Sequence, residues 1–397
     1  MQDNLIIELL GIKDRNVKVW EVLQGSGALC VALYTEKRKQ TCPFCRSRTK
    51  RVHGYRNQNI QGPMLAQQKV EISLRKRRYW CICCERTFYE RLHMVDRYQR
   101  CTTALQTEAL MYSASGSFKA AALWTGITAT RLIRMFDRRN MNTNKVLPRA
   151  IAIDEFKGDA GGERFQTVIV DVENKEIIDI LPDRKIDTVK HYLRSCDTGK
   201  VEIVVMDMSQ WFKKAVRDVL GNPLIIADRF HFMRHVYWAL DEVRRHVQNH
   251  VDKQTRIHMK RSKKLLWKSH YDLSVDQSEK VNQLLAIDPK LQEAYELKVK
   301  MEKWFRESNH ETVGKNLDRC LEALRASGIE GFHRVRKTFL NWRTEIIQAF
   351  MYPYNNGYIE GINNTIKVLK RNSYGIRSFE RLKKKILWQQ EIKMVMG

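Results

Sequence analysis

Long apolar runs are absent from this sequence of 397 residues. No uninterrupted stretch approaches the roughly 18 apolar residues that a membrane-spanning helix needs. The amino-terminal segment MQDNLIIELLGIKD mixes acidic residues into a short apolar run, which is not the pattern of a secretory signal peptide. We therefore expect a soluble, intracellular protein.

Acidic residues are scarce relative to basic ones. The chain has 71 Lys and Arg against 45 Asp and Glu, so its formal net charge is +26. Such an excess favours a polyanionic partner, and nucleic acid before membrane. The basic residues also cluster, in RKRR at 75–78 and in the segment 370–385. This clustering favours binding patches over a surface that is merely basic throughout.

A disulfide framework is also not indicated, because the number of cysteines, nine, is odd. Five of the nine lie within 42–84, which favours metal ligation there. The motif CPFC supplies Cys42 and Cys45, and WCICC supplies Cys81 with either Cys83 or Cys84. Four thiolates make the tetrahedral shell of a structural Zn²⁺ site. Cys84 is the preferred fourth ligand, since the CxxC spacing lets both sulfurs turn toward one ion.

Two amino-terminal domains are predicted. Residues 1–95 form a zinc-binding domain, with a strand pair before the cysteines and a strand over VEISLRKRRYW. Residues 96–147 form a second, DNA-binding domain. Its residues 96–145 are expected to be helical and contain a helix-turn-helix pattern, in which Gly126 makes the turn and Thr128 caps the second helix. Arg131 and Arg134 on that helix are candidates for DNA contacts. The alternative is an ordinary helical hairpin between two domains.

The remaining residues, 148–397, predict an α/β domain. Three consecutive strands are followed by alternating helices and strands, which is the order of a mixed sheet of the RNase H-like fold. A large helical insertion occupies about 235–350. Within it, Trp267 and Trp304 could stack on a flipped base, although packing in the core is the favoured interpretation.

Two acidic residues directly follow buried strands of this sheet, Asp154 after AIAI and Asp207 after VVM. In a sheet of this order the first and fourth strands are neighbours, so the two carboxylates would meet and require a cation between them. Mg²⁺ or Mn²⁺ suits such a site, and Glu360 at the start of a basic helix is the candidate third ligand. Two ions could then clamp the attacking and leaving oxygens of a phosphoryl transfer. Alternatively, each Asp is only a turn or helix cap.

Some neighbouring acids have other expected roles. Glu155 should point away from Asp154, since successive strand residues face opposite sides. Asp228 ends the last strand, where we expect it to support the site, and His231 could contact DNA.

The helix that carries Glu360 also predicts a DNA-binding surface. Asn364, Lys367 and Arg371 follow Glu360 at spacings of four, three and four, which places them on one helical face. Lys370 and Arg377 belong to the same strongly basic segment, which holds one acid between 365 and 385. Such a segment contacts phosphates and makes binding sensitive to salt.

Taken in order, these motifs resemble one family. CPFC with HGY, RKRRYWCICCERTFYERL, IDEFKG, VVMDMSQWF, IIADRFHF and YNNGYIEGINNTIKVLKRNSYGIRSF together resemble bacterial insertion-sequence transposases of the ISL-three type, over essentially the whole chain. The resemblance implies a DDE transposase with Asp154, Asp207 and Glu360 as catalytic metal ligands. It implies a zinc site of Cys42, Cys45, Cys81 and Cys84 in a domain that recognises the element's ends.

The resemblance further implies double-stranded DNA as partner, assembly into a homodimer or larger oligomer on DNA, and a location at the nucleoid in the bacterial cytoplasm. Two rival functions remain. One is a transposase-derived, sequence-specific DNA-binding regulator without catalysis, and the other is a structure-specific nuclease of the RNase H type. Intact acids argue against the regulator, and a zinc domain with a helix-turn-helix is not needed by such a nuclease.

Overall fold

The chain forms two compact units. A computed structural model describes residues 2–25, 27–141, 145–354 and 357–396. The first unit comprises the chain up to Met141, the segment Val368–Ile376 and the chain from Lys384 onward. The second unit comprises the segment that follows Met141 and ends at Lys367, together with Arg377–Lys383.

A five-stranded sheet dominates the start of the first unit. Helix α1 precedes it, and the strand order is β1-β2-β6-β5 with β7 added on β6. Val70, Ile72 and Leu74 alternate along β6 and pack against Val31 and Leu33 of β2 in a buried cluster. The elements are α1 (Gln2–Leu9), β1 (Val17–Gln24), β2 (Ala28–Thr35), β3 (Gln40–Thr41), β4 (Arg48–Thr49), β5 (Val52–Leu65), β6 (Gln68–Trp80) and β7 (Thr87–Tyr89).

Three helices follow in the same unit, α2 (Thr103–Ser115), α3 (Phe118–Thr125) and α4 (Ala129–Asp137). Two of them begin at a capping hydroxyl, whereas Thr128 precedes α4 without the side-chain cap that the sequence predicted. The Thr102 hydroxyl accepts from the Leu105 amide, and the Ser117 hydroxyl accepts from the Ala120 amide. Gly126 ends α3 with φ of +69°, a left-handed conformation that glycine adopts without strain. The short turn to α4 completes the predicted helix-turn-helix.

The second unit is built on a mixed sheet with strand order β10-β9-β8-β11-β12. Its strands and helices alternate as β8 (Ala150–Ala160), β9 (Glu163–Asp171), β10 (Glu176–Leu181), α5 (Ile186–Arg194), β11 (Ile203–Met206), α6 (Gln210–Leu220) and β12 (Leu224–Ala227). The first three strands are antiparallel, and β11 runs parallel to both β8 and β12. The first and fourth strands are therefore neighbours, as the sequence predicted.

Helices fill the chain after β12. They are α7 (Arg229–Gln248), α8 (Lys253–Arg261), α9 (Lys263–Trp267), α10 (Val275–Leu285), α11 (Pro289–Glu307), α12 (Val313–Ala326), α13 (Glu330–Asn341), α14 (Arg343–Met351), α15 (Gly357–Asn372) and α16 (Phe379–Met396). Phe232 of α7 packs among the rings of Trp304, Phe305, Phe339 and Phe350, with centroids 5.7–6.4 Å away.

Both tryptophans that sequence analysis weighed for base stacking pack against other rings. Trp304 is buried in the cluster around Phe232. Trp267 stacks on Tyr237 with centroids 6.0 Å apart.

Two local expectations were wrong. The amino terminus contains helix α1 before the strand pair, and residues 96–102 are not helical although the whole of 96–145 was expected to be. Within the described ranges, no helix is both long enough and apolar enough to cross a membrane.

Candidate active site and metal centre

Strand register brings three aspartates to the same edge of the second sheet. Met206 of β11 pairs with Ile153 of β8 on one side and with Ala227 of β12 on the other. The next residues along the three strands are Asp207, Asp154 and Asp228. All three line one cleft of about 630 Å³. Sequence analysis predicted the first two at this edge and gave the third a supporting role.

Helix α15 supplies the opposite wall of this cleft. Glu360, Asn363 and Lys367 line it, at spacings of three and four along the helix. Glu360 is exposed to solvent, and Asn363 Nδ2 donates to Asp154 Oδ2 over 2.9 Å. Asn364, which sequence analysis favoured, is exposed, does not line the cleft and accepts from Lys367 Nζ at 3.4 Å. Asn363 is therefore a site residue that sequence analysis did not single out, whereas the DNA contact expected of Asn364 stays a prediction.

Crowded, buried carboxylates shape the electrostatics of the cleft. Burial raises the pKa of Asp154, which is 6% exposed. Burial, and then the charge of Asp154, raise the pKa of Asp207 to about 6. Removal from water and a like charge both disfavour the ionised form. A cation placed between the two would offset both effects.

The buried Asp228 and the half-buried His231 form a pair beside the two aspartates. Asp228 caps α7 by accepting from the Phe230 amide, and its other oxygen contacts His231 Nδ1. Burial lowers the pKa of His231, but the hydrogen bond and the charge of Asp228 outweigh it, so the net pKa is raised. The positive charge favoured on His231 in turn lowers the pKa values of Asp154 and Asp207 relative to burial alone.

Glu155 also borders the cleft, although strand alternation predicted that it would point away. Its carboxylate accepts from Arg184 Nη1 over 2.7 Å. The Glu155 carboxylate at the border of the cleft is therefore already paired with a cation.

The four predicted cysteine ligands converge in the first unit. The sulfurs of Cys42, Cys45, Cys81 and Cys84 lie within 4.8 Å of one another, and the contacts Cys42–Cys84 and Cys45–Cys81 measure 3.6 and 3.5 Å. A tetrahedral ion with Zn–S bonds of about 2.3 Å separates its sulfurs by about 3.8 Å, so the cluster fits Zn²⁺. Cys83 is exposed and stands outside this cluster.

The thiols of the cluster differ in acidity. Hydrogen bonds from Ser47 lower the pKa of Cys45 to about 6 and also lower that of Cys81. Burial raises the pKa of Cys84 to about 12. Metal binding requires thiolates, and a bound dication would favour ionisation of all four. Ser47, whose hydroxyl lies 3.0 Å from Cys45 Sγ and 3.1 Å from Cys81 Sγ, is a supporting residue that the sequence did not indicate.

The predicted DNA-binding residues are mostly accessible. Arg134 is exposed on α4, whereas Arg131 is half-buried and donates from Nη2 to Gln99 Oε1 over 3.0 Å. On the basic carboxy-terminal segment Lys367, Arg371 and Arg377 are exposed, and Lys370 is half-buried. Of these, Lys367 lines the acidic cleft.

Comparisons with known proteins give three matches to family models, in the order of the predicted domains. Residues 38–84 match the zinc-finger of transposase IS204/IS1001/IS1096/IS1165. Residues 90–140 match the helix-turn-helix domain of transposase family ISL3. Residues 151–386 match the transposase domain model of the same family.

Curated relatives agree with these matches. The chain is 24% identical over 363 residues to the transposase for insertion sequence element IS1001 of Bordetella parapertussis, covering 89% of each chain. It is 26% identical over 261 residues to the transposase for insertion sequence element IS1557 of Mycobacterium tuberculosis, covering 59% of this chain and 58% of that one. A shorter match, 45% over 58 residues, is to an ATP-dependent protease of Lactococcus lactis and covers 15% of this chain.

A zinc-finger, a helix-turn-helix and a DDE domain in this order define an insertion-sequence transposase, a class that acts on DNA. Because the transposase model alone covers well over half of the sequence, the chain belongs to the ISL3 family. The zinc-finger match and the cysteine cluster together indicate Zn²⁺.

Proposed function

We propose that this transposase binds the terminal inverted repeats of its insertion sequence and catalyses metal-dependent strand cleavage and strand transfer. The observation that carries the proposal is the register of β8, β11 and β12, which sets Asp154, Asp207 and Asp228 side by side in a cleft faced by Glu360. The relatives named for insertion sequences support the same reaction.

The residues of the cleft fit divalent cations. Asp154, Asp207 and Glu360 offer carboxylate oxygens, the ligands that Mg²⁺ and Mn²⁺ prefer. Asn363 Oδ1 is buried without a hydrogen-bond partner among the described residues, which is consistent with an oxygen that a cation or its water would satisfy. When bound, two ions would supply Lewis acidity at the attacking and leaving oxygens of the phosphodiester.

The chain's own residues have distinct roles in this proposal. Asp154 and Asp207 would hold the cations at the edge of the sheet, and Glu360 would hold them from α15. Lys367, one turn further along the cleft wall than Asn363, neutralises a neighbouring phosphate. Arg134 of α4 contacts the element's end, and Asn364, Lys370, Arg371 and Arg377 contact the backbone. Arg131, held by Gln99, positions α4.

We further propose an architecture for these activities. Residues 1–95 form the zinc domain, 96–147 the helix-turn-helix domain and 148–397 an RNase H-like catalytic domain with a helical insertion at about 235–350. The strand order β10-β9-β8-β11-β12 supports this assignment. Along the chain, the helices from α8 to α14 come after the last strand and before Glu360. Because transposition acts on both ends of the element at the same time, a homodimer or larger assembly on DNA is expected.

Cleavage of a plasmid that carries the gene's own flanking ends tests the proposal. The wild type should make breaks at the element boundary that require Mg²⁺ or Mn²⁺, and Asp207→Asn should bind the same ends without cutting. Asp187→Asn is the matched control, since that carboxylate is exposed on α5 and does not line the cleft.

A wild-type chain that binds the ends but does not cut them in the presence of any divalent metal would contradict the catalytic proposal. It would favour the second candidate, a regulator derived from a transposase.

A further inference from the structure

One basic motif, RKRR at 75–78, is not used by the proposed active site. Its residues alternate along β6. Arg75 and Arg77 lie on the sheet face opposite the buried cluster of Val70, Ile72 and Leu74. Lys76 and Arg78 lie on the other face, where Arg78 Nη2 donates to Thr87 Oγ1 over 2.6 Å. One face of the sheet thus displays two of the four cations.

Exposed aromatic rings hold these two guanidinium groups in place. Arg75 lies over the ring of Tyr55 at 4.2 Å and over that of Trp20 at 5.5 Å. Arg77 lies 5.3 Å from the Tyr55 centroid, donates from Nη1 to the Tyr55 hydroxyl at 3.1 Å and from Nε to the Thr35 carbonyl at 2.9 Å. Trp20 and Tyr55 are 62% and 52% exposed, an unusual amount for such large rings on a sheet.

Neither guanidinium forms an ion pair with an acidic side chain among the residues that the structure describes. Fixed, unpaired and half-exposed guanidinium groups match the geometry of phosphate oxygens, which they can bind in a bidentate manner. A guanidinium group lies over each of the two rings, so the rings hold the cations in place on this surface. The charge and geometry of the two cations fit a nucleic-acid backbone.

The surface also belongs to the unit that contains the helix-turn-helix. Gln61 of β5 donates from its side-chain Nε2 to the Thr125 carbonyl over 3.1 Å. Its main-chain N–H donates to the Arg100 carbonyl over 2.9 Å. A Cβ on Gly126 would lie 2.7 Å from Gln61 Nε2, so the turn packs tightly on the sheet. Next to the two arginines, a trough of about 720 Å³ runs from Ser73 to Gly126. It contains Glu21 and Glu71 besides Lys69 and Arg100, so we do not include it in the phosphate surface.

We infer that Arg75 and Arg77, bracketed by Trp20 and Tyr55, form a clamp for the phosphate backbone of the duplex whose sequence α4 reads. This inference rests on the proposed DNA binding and adds a second, sequence-independent contact to it. Each phosphate neutralised contributes about 0.9 to the slope of log affinity against log salt. Two contacts should therefore contribute about 1.8.

Binding of a duplex that carries the element's end, followed by fluorescence anisotropy over a range of salt concentrations, tests the clamp. The double variant Arg75→Gln with Arg77→Gln should lose about 1.8 from the slope. The matched control, Lys76→Gln with Arg78→Gln, removes the same charge from the same strand but from the other face, and should keep the wild-type slope. Zinc content and thermal unfolding report whether each variant is folded.

Trp20→Ala provides a second test without any change of charge. Removing this ring frees Arg75 to move, so affinity at constant salt should fall about two- to fivefold. An equal loss of slope in both double variants, no loss in the arginine pair, or an unchanged affinity in Trp20→Ala would overturn the inference. A wild-type chain that binds no duplex would instead contradict the proposed function itself.

Discussion

At the scale of single residues, Asn363 is the sharpest test of the cleft. Its side chain donates to Asp154, and exchange to Ala would leave that buried carboxylate with one hydrogen bond fewer. Losing a residue that orients a metal ligand costs about 10- to 100-fold in metal affinity or activity. We therefore expect Asn363→Ala to raise the Mg²⁺ concentration needed for half-maximal strand cleavage by such a factor.

Asn364→Ala is the neighbouring control, because Asn364 is exposed and lies outside the cleft. Its cleavage should show the wild-type dependence on Mg²⁺. If the two variants behaved alike, Asn363 would have no role in positioning Asp154.

The two adjacent cysteines Cys83 and Cys84 offer a second residue-scale prediction. Cys84 belongs to the sulfur cluster, whereas Cys83 is exposed outside it. Cys84→Ser should abolish the binding of one Zn²⁺ per chain and lower the melting temperature of the first unit, since structural zinc contributes directly to folding. Cys83→Ser should retain the metal. Metal analysis after gel filtration measures both, and loss of zinc from the Cys83 variant alone would reverse the assignment.

At the scale of elements, helix α16 is anchored by a buried lysine. Lys385 is fully buried and donates to the Gly116 carbonyl at the end of α2 and to the Ser373 hydroxyl. Burial lowers its pKa from 10.5 to about 8. Between those values the unfolded chain binds a proton that the folded chain does not, so stability rises with pH through this window. The free energy of unfolding changes by about 3 kcal/mol across this pH window.

Replacing the lysine tests this pH dependence. Lys385→Met should remove the rise in stability between pH 8 and pH 10.5, seen as a difference in melting temperature against the wild type at each pH. Lys393→Met, an exchange of an exposed lysine on the same helix, should keep the wild-type pH profile. Parallel profiles for the wild type and Lys385→Met would show that Lys385 does not titrate in this range.

Strand elements were predictable from the sequence where one face or both faces are buried. Alternation along VEISLRKRRYW predicted β6, and apolar runs ending in Asp predicted β8 and β11, because burial alone dictates those patterns. Helix α1 was not recognised, since its eight residues are too short to display a clear period. Asn363 was not singled out either, because the i+3 and i+4 neighbours of Glu360 are both compatible with helical spacing and only the contact with Asp154 distinguishes Asn363.

At the scale of the whole molecule, the order of domains could be predicted because each carries a local signal. Paired CxxC motifs, a glycine turn between two helices and acid-terminated strands need no knowledge of distant contacts. What could not be predicted depends on partners far apart in sequence. The contact of Ser47 with Cys81 joins residues 34 positions apart, and the hydrogen bond from Asn363 to Asp154 joins residues 209 positions apart.

The tail of the chain has a consequence for protein synthesis. Trp388 donates to the Leu110 carbonyl over 2.8 Å, and Glu391 pairs with Arg139 over 3.2 Å, so α16 completes the helical part of the first unit. These residues leave the ribosome more than 200 positions after the helices on which they pack. A premature stop codon after Lys383 would therefore spare every carboxylate of the cleft and still release a polypeptide whose helix-turn-helix lacks its final support.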